Sequence, residues 1–196
     1  MLNSTQPAAL CFRLGDLASL LGWRPPIRTT AAREIVRGAI GDPSEWTRVT
    51  DIVPRSLQNA LAASPAGAPD RWFANLYLIK AVVLVILSLF WIATGILSIG
   101  PGYDMGIQYV RASAPNEWAP PAAISGGFLD IAIGIGIAIR RTSQLALLAS
   151  LAAAMMYVVL GTLLVPVLWL DPLGPFVKIW PIAMLSIVAL AIHRDR

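Results

Sequence analysis

Three ionisable side chains stand inside apolar runs of this sequence: Asp130 in GGFLDIAIGIGIAIRRT, Lys80 in RWFANLYLIKAVV and Lys178 in GPFVKIWP. An aspartate at the centre of a membrane helix costs roughly 2.5–3.5 kcal/mol, so Asp130 must face protein, water or a cation. Counted at helical rise, it lies ~13 Å from the end of its run and close to the bilayer midplane. Counted from Trp72, Lys80 reaches a similar depth of about 12 Å, and Lys178 approaches from the opposite side, ~9 Å in and on a flexible stem. The expectation is one buried ionisable layer made of Asp130, Lys80 and Lys178. It supports two kinds of chemistry. Asp130 is a proton-accepting or ligand-binding carboxylate, the candidate catalytic group, tuned by a lysine; or the three form a structural pair that fixes helix rotation and register. Ser88, Thr94 and Tyr157 add hydrogen bonds to this layer, or serve as ordinary glue between helices.

Other chemistry is hard to build from one copy of this chain. Cys11 is the only cysteine and His193 the only histidine. An internal disulfide, a CxxC pair, a bis-histidine haem, an HExxH zinc site and a Ser-His-Asp triad each need more. No metal site is expected. The net charge of +4 comes without a dense basic stripe or interleaved aromatics, which argues against nucleic acid as a partner.

The elements that must hold these charges are membrane helices. Hydrophobic residues make up 57% of the 196 positions and charged ones 13%, with a mean hydropathy of +0.68. Soluble domains carry about 25% charged residues, so the partner here is a lipid bilayer. Four spans are predicted, about 76–99, 121–139, 145–165 and 173–192, the last interrupted by Lys178 and Pro181, with a kink expected at Pro181, whose ring strands the carbonyl of Val177. Gly126, Gly127, Ala132, Gly134, Gly136 and Ala138 let the second span approach its neighbours closely, so it is expected to be central. Arg71, Arg140, Arg141, Arg194 and Arg196 fall on one side, whereas the loops of the other offer Arg111 beside Asp104, Glu117 and Asp171. That asymmetry predicts both termini in the cytoplasm, as does the start MLNSTQPAAL, which lacks the features of a signal peptide. Trp118 and Trp169, in the outer loops, read as headgroup-level anchors.

Residues 1–70 are different in kind. Seven arginines and six acids leave a net charge of only +1, against a polybasic lipid clamp. Three or four short helices are predicted: Thr30 caps AAREIVRGAIG, whose Ile35, Val36 and Ile40 form a stripe; Asp42 and Pro43 start another; Asp51 to Pro54 introduce RSLQNALAA. WRPP at Trp23–Pro26 breaks them, and SPAGAP at Ser64–Pro69 reads as a linker. The fold class is therefore all-α, a four-helix transmembrane bundle (71–196) preceded by a small cytoplasmic helical lobe (1–70).

The ordered set RWFANLYLIK, LSLFWIATG, GGFLDIAIGIGIAIRRT and LWLDPLGPFVK, with Lys80, Asp130, Asp171, Pro172 and Lys178, resembles the DoxX-like membrane family across 71–196. That resemblance implies a membrane subunit of an oxidoreductase, in an electron-transfer or quinone-linked setting. Residues 12–71 resemble the segment that joins a short-chain dehydrogenase-like domain to a DoxX-like domain in fused bacterial proteins. No glycine-rich dinucleotide turn after a strand occurs before residue 70, so NAD(P) is expected only through a missing or separate domain. The function expected is an integral membrane module of a redox system, anchoring or partnering a nicotinamide-dependent dehydrogenase and contacting quinone or a lipid-like substrate, and not a complete enzyme alone. The alternative is a non-catalytic membrane anchor. Thirteen arginines against two lysines suggest a GC-rich bacterial gene, hence a bacterial inner membrane.

Overall fold

Every regular element is a helix among the residues that the computed structural model describes, which are 5–38, 41–111, 117–171 and 174–193. Contacts divide the chain into two compact units, Met1–Asn75 and Leu76–Arg196. Pro172, Arg194, Arg196 and Ile40, all used in the sequence reading, lie outside the described residues.

The first unit holds four short helices, α1 (Thr5–Leu20), α2 (Thr29–Arg37), α3 (Ser44–Thr50) and α4 (Leu57–Ala63). Their caps differ from expectation. Thr30 does not cap α2; the helix starts one residue earlier, and the backbone N–H of Thr29 donates to Asp16 Oδ1 of α1 at 3.2 Å. A carboxylate brought from another helix thus fills the role that a local side chain was expected to play. Asp42 does accept from the Ser44 N–H at 3.0 Å, and this bond holds its carboxyl below the usual range, but Pro43 is the N-cap position. Asp51 ends α3 in the left-handed region (φ 57°), and the cap of α4 is Ser56, which accepts from Asn59. Gly15 is buried where α1 meets the next segment; a Cβ there would overlap the Ile27 carbonyl.

The second unit is built on α5 (Ala68–Ile99), α7 (Ala119–Ala138), α8 (Ser143–Leu164) and α9 (Pro175–His193), each long and apolar enough to cross a membrane. Helix α5 begins inside the stretch read as a linker, since Pro69 suits a first helical turn. The stretch between α5 and α7, read as a loop, contains the helix α6 (Tyr103–Arg111), which buries Ile107 and carries Asp104 in its first turn and Arg111 in its last, complementing the helix dipole. Helix α9 continues through Pro181 rather than being interrupted there.

Cross-helix contacts give the register. Ser88 donates to the Gly134 carbonyl at 2.8 Å, and Gly95 meets Gly127, so α5 and α7 run antiparallel with backbones in contact. A Cβ on Gly136 would lie 2.8 Å from that of Ala146, pairing α7 with α8, and Ser150 donates to Ser186 at 3.1 Å, pairing α8 with α9. Phe176 of α9 fills the space left by Gly161 of α8. Lys80 Nζ donates to the His193 carbonyl at 3.2 Å and closes the ring between α9 and α5. All neighbours are antiparallel, an up-and-down four-helix bundle. Its outer faces expose Val82, Val85, Leu89, Phe128, Leu145, Leu148, Met184 and Ile187, a surface suited to lipid rather than water.

Candidate functional site

The antiparallel register brings Asp130, near the middle of α7, opposite the second half of α5. Phe90, Trp91 and Thr94 of α5, Asp130 of α7, Tyr157 of α8 and Ile179 and Ile182 of α9 line a half-open cavity of about 170 Å³, to which every helix of the bundle contributes. Spacing explains the shared face: Phe90 and Thr94 are four apart, and Ile179 and Ile182 three apart. Asp130 is 5% exposed. The phenol of Tyr157 donates to Asp130 Oδ1 at 2.7 Å, a short bond to an acceptor that ordinarily carries charge. A carboxylate offers about four lone-pair sites, so one phenol leaves capacity for a further donor. The Thr94 hydroxyl, which donates to the Trp91 carbonyl at 3.0 Å, also faces this group.

Trp91 is the second polar feature of the cavity. Its ring packs edge-on to Phe90, with centroids 5.6 Å apart, and tilts against Tyr157 at 6.4 Å. The residue is 2% exposed, and its indole Nε1–H has no hydrogen-bond partner among the described residues. A buried N–H normally finds an acceptor, since leaving it bare costs about 1–3 kcal/mol. The pocket therefore combines a carboxylate and phenol pair and the Thr94 hydroxyl with walls that are otherwise apolar, and the bare indole N–H lies buried behind them.

The expected trio does not assemble. Lys80 sits eleven residues before Trp91, ~16 Å away along the helix, and its ammonium satisfies a terminal carbonyl of α9. Depth counted from Trp72 misplaced it, because along the 32-residue α5 the residues that face Asp130 are Phe90, Trp91 and Thr94, about three turns further on. Lys178 adjoins Ile179 in sequence, but its side chain is exposed on the outer face, as expected for a neighbour rotated by about 100°. Tyr157, read earlier as a supplementary hydrogen bonder, is the group that meets Asp130. Trp91 was missed. A tryptophan in mid-span rather than in the interfacial belts was the available signal. Of the belt tryptophans, Trp118 is exposed, and Trp169 donates to Thr162 Oγ1 at 3.0 Å while stacking near Phe176.

Residues 88–187 match the model of the DoxX-like family, just over half of the 196-residue chain. The chain belongs to the DoxX-like family. No curated protein and no solved structure matches it. The DoxX-like segment contains every residue that lines the cavity, from Phe90 to Ile182, whereas Lys80 and the whole first unit precede it. The four potential spans and the family together make this a membrane protein.

Replacing Tyr157 by phenylalanine removes the donor to Asp130 and nothing else of size. The expected cost is about 1–2 kcal/mol, at the upper end for membrane side-chain bonds because the acceptor ionises. Denaturant titration of the detergent-solubilised protein measures it; an unchanged midpoint would mean that the pair carries no stability.

Proposed function

We propose that this DoxX-like protein is the membrane module of a redox system and that the cavity around Asp130 receives the head group of a quinone. The single observation behind this reading is the hydrogen-bonded Asp130 and Tyr157 pair, set in a largely apolar pocket at mid-bundle. Two-electron reduction of a quinone consumes two protons. Asp130, with Tyr157, supplies one of them at the ring oxygen and regains it from water, which also supplies the second, while the two electrons come from a partner, in this reading a nicotinamide-dependent dehydrogenase that itself binds NAD(P). The end of the bundle that carries Arg140 and Arg141 also carries Lys80 and His193, and the positive-inside rule assigns that end to the cytoplasm of a bacterial inner membrane. The first unit would then meet the partner on that side.

A direct test uses dicyclohexylcarbodiimide, an apolar reagent that modifies protonated carboxyls inside membranes. Mass spectrometry should find the adduct on Asp130, its formation should slow several-fold when a soluble short-chain quinone is added, and Asp130→Asn should take up no label at this site. Labelling indifferent to every quinone tried would sink the proposal.

A second reading has its own support. Leu10, Leu14 and Leu17 are more than half exposed and repeat along one face of α1, as a non-catalytic anchor that holds a cytoplasmic protein would require. Under it, deleting residues 1–67 abolishes partner recruitment while Asp130→Asn leaves recruitment intact.

A further inference from the structure

Resting on the reading of Asp130 as the proton-handling group, we infer that Thr94 is its positioning residue: the Thr94 hydroxyl turns between the Trp91 carbonyl and the Asp130 carboxyl as that carboxyl gains and loses its proton. Register brings the two together. On α5, Gly95 packs against the backbone of Gly127 and Ile131, and on α7, Gly134 packs against the backbone of Ser88 and Ile92. Thr94 and Asp130 both fall between these two contacts and line the same pocket. The half-buried Thr94 hydroxyl donates to the Trp91 carbonyl at 3.0 Å and lies within hydrogen-bonding reach of the Asp130 carboxyl. A hydroxyl has one hydrogen, so it serves one of these acceptors at a time. Turning costs little, because the Trp91 carbonyl keeps its helical partner, the N–H four residues on, when the hydroxyl leaves.

Counting hydrogens at Asp130 gives the two states. Tyr157 donates to Oδ1, so the acid proton of the neutral carboxyl sits on Oδ2. Thr94 then keeps its hydrogen on the Trp91 carbonyl, and its oxygen accepts from the Oδ2–H. Once that proton has passed to the oxygen of a guest, Oδ2 carries lone pairs only, and the Thr94 hydroxyl turns to donate to it. The hydrogen of Thr94 is redirected and never transferred. A hydrogen bond to an ionised acceptor is roughly twice as strong as one between neutral partners, so Thr94 favours release of the proton. Around the carboxyl, α5 presents Phe90, Trp91 and Thr94, α8 presents Tyr157, and α9 presents Ile179 and Ile182. Among the described residues that line the pocket, Tyr157 is thus the one other titratable group, and Lys178 of α9 is exposed.

The test follows dicyclohexylcarbodiimide labelling of Asp130 against pH in the full chain, reconstituted in lipid nanodiscs, since the reagent takes the protonated carboxyl. Thr94→Val keeps the shape and removes the hydroxyl; its labelling should persist to a pH about half a unit to one unit higher than in wild type. Thr94→Ser, which keeps the hydroxyl, should restore the wild-type midpoint. Thr94→Ser and Thr94→Ala form a second pair, alike in losing the methyl and different in the hydroxyl, and the alanine alone should move the midpoint. That comparison stands if the valine variant folds poorly. A midpoint that moves equally in serine and alanine variants assigns the effect to packing and overturns the inference, as does one that Thr94→Val leaves in place. Both of those results leave Asp130 titrating and the functional reading standing. Wild-type protein in which Asp130 takes up no label at any pH removes that reading itself, and the inference with it.

Discussion

Valine at position 134 should leave little folded protein. A Cβ built on Gly134 lies 2.7 Å from the Ser88 carbonyl oxygen and 2.9 Å from the Ile92 nitrogen, both backbone atoms of α5. Flexible side chains yield to an intruding methyl, but two helix backbones do not, so α5 and α7 must separate. Separation also breaks the 2.8 Å bond from Ser88 to the Gly134 carbonyl and opens the wall that holds Trp91. Overpacking alone costs about 1–3 kcal/mol, and with the lost bond the total should reach at least ~3 kcal/mol, a large share of a typical ΔG of unfolding. Thermal unfolding in detergent, with yield of monodisperse protein beside it, reads the effect. Gly126→Ala is the control on the same helix. Its Cβ would meet only Tyr157 Oη at 3.8 Å, and its stability should stay within about 0.5 kcal/mol of wild type. If Gly134→Val unfolds no earlier than that control, the close α5 and α7 seam is wrong.

Asp130→Asn should separate chemistry from architecture. The asparagine carbonyl can still accept from Tyr157, and the amide matches the carboxylate in shape, so the bundle should keep its stability to within ~1 kcal/mol. What disappears is the group that titrates. Positioned general acid–base groups contribute roughly 10²–10⁴ in rate, and the partner-dependent quinone reduction rate in native-like membranes should fall by at least ~100-fold. Its pH dependence should flatten with it, since the variant has no proton to gain or lose at this site. A rate within a few-fold of wild type would return Asp130 to a purely structural role.

The two predictions probe different kinds of legibility. The last three long helices were readable within two residues at each end because uninterrupted apolar runs of membrane length admit few alternatives, whereas α5 begins eight residues before the predicted start at 76. The mid-helix depth of Asp130 was readable for the same reason. Which residues it meets was not. Helical rise locates a residue along its own helix, but the partner across a seam depends on where two helices touch, and here that is decided by Ser88, Gly95, Gly127 and Gly134. An offset of about three turns in α5 moved Lys80 from the middle of the bundle to its end. In α9, rotation rather than depth separates Lys178 from Ile179. The cap of α2 was hidden for a related reason, since Asp16 lies thirteen residues away in sequence. Helix α6 was obscured by a stretch too short and too polar to stand out from a loop, with only Ile107 buried.

The bond from Lys80 to the His193 carbonyl joins the beginning and the end of the membrane unit. Polypeptide leading into the bundle and polypeptide leaving it therefore emerge side by side, on the same face. A bundle of this kind works as a cassette that is entered and left from one side of the bilayer. Chain added at either of these two points then lies on that one side, without turning the bundle over.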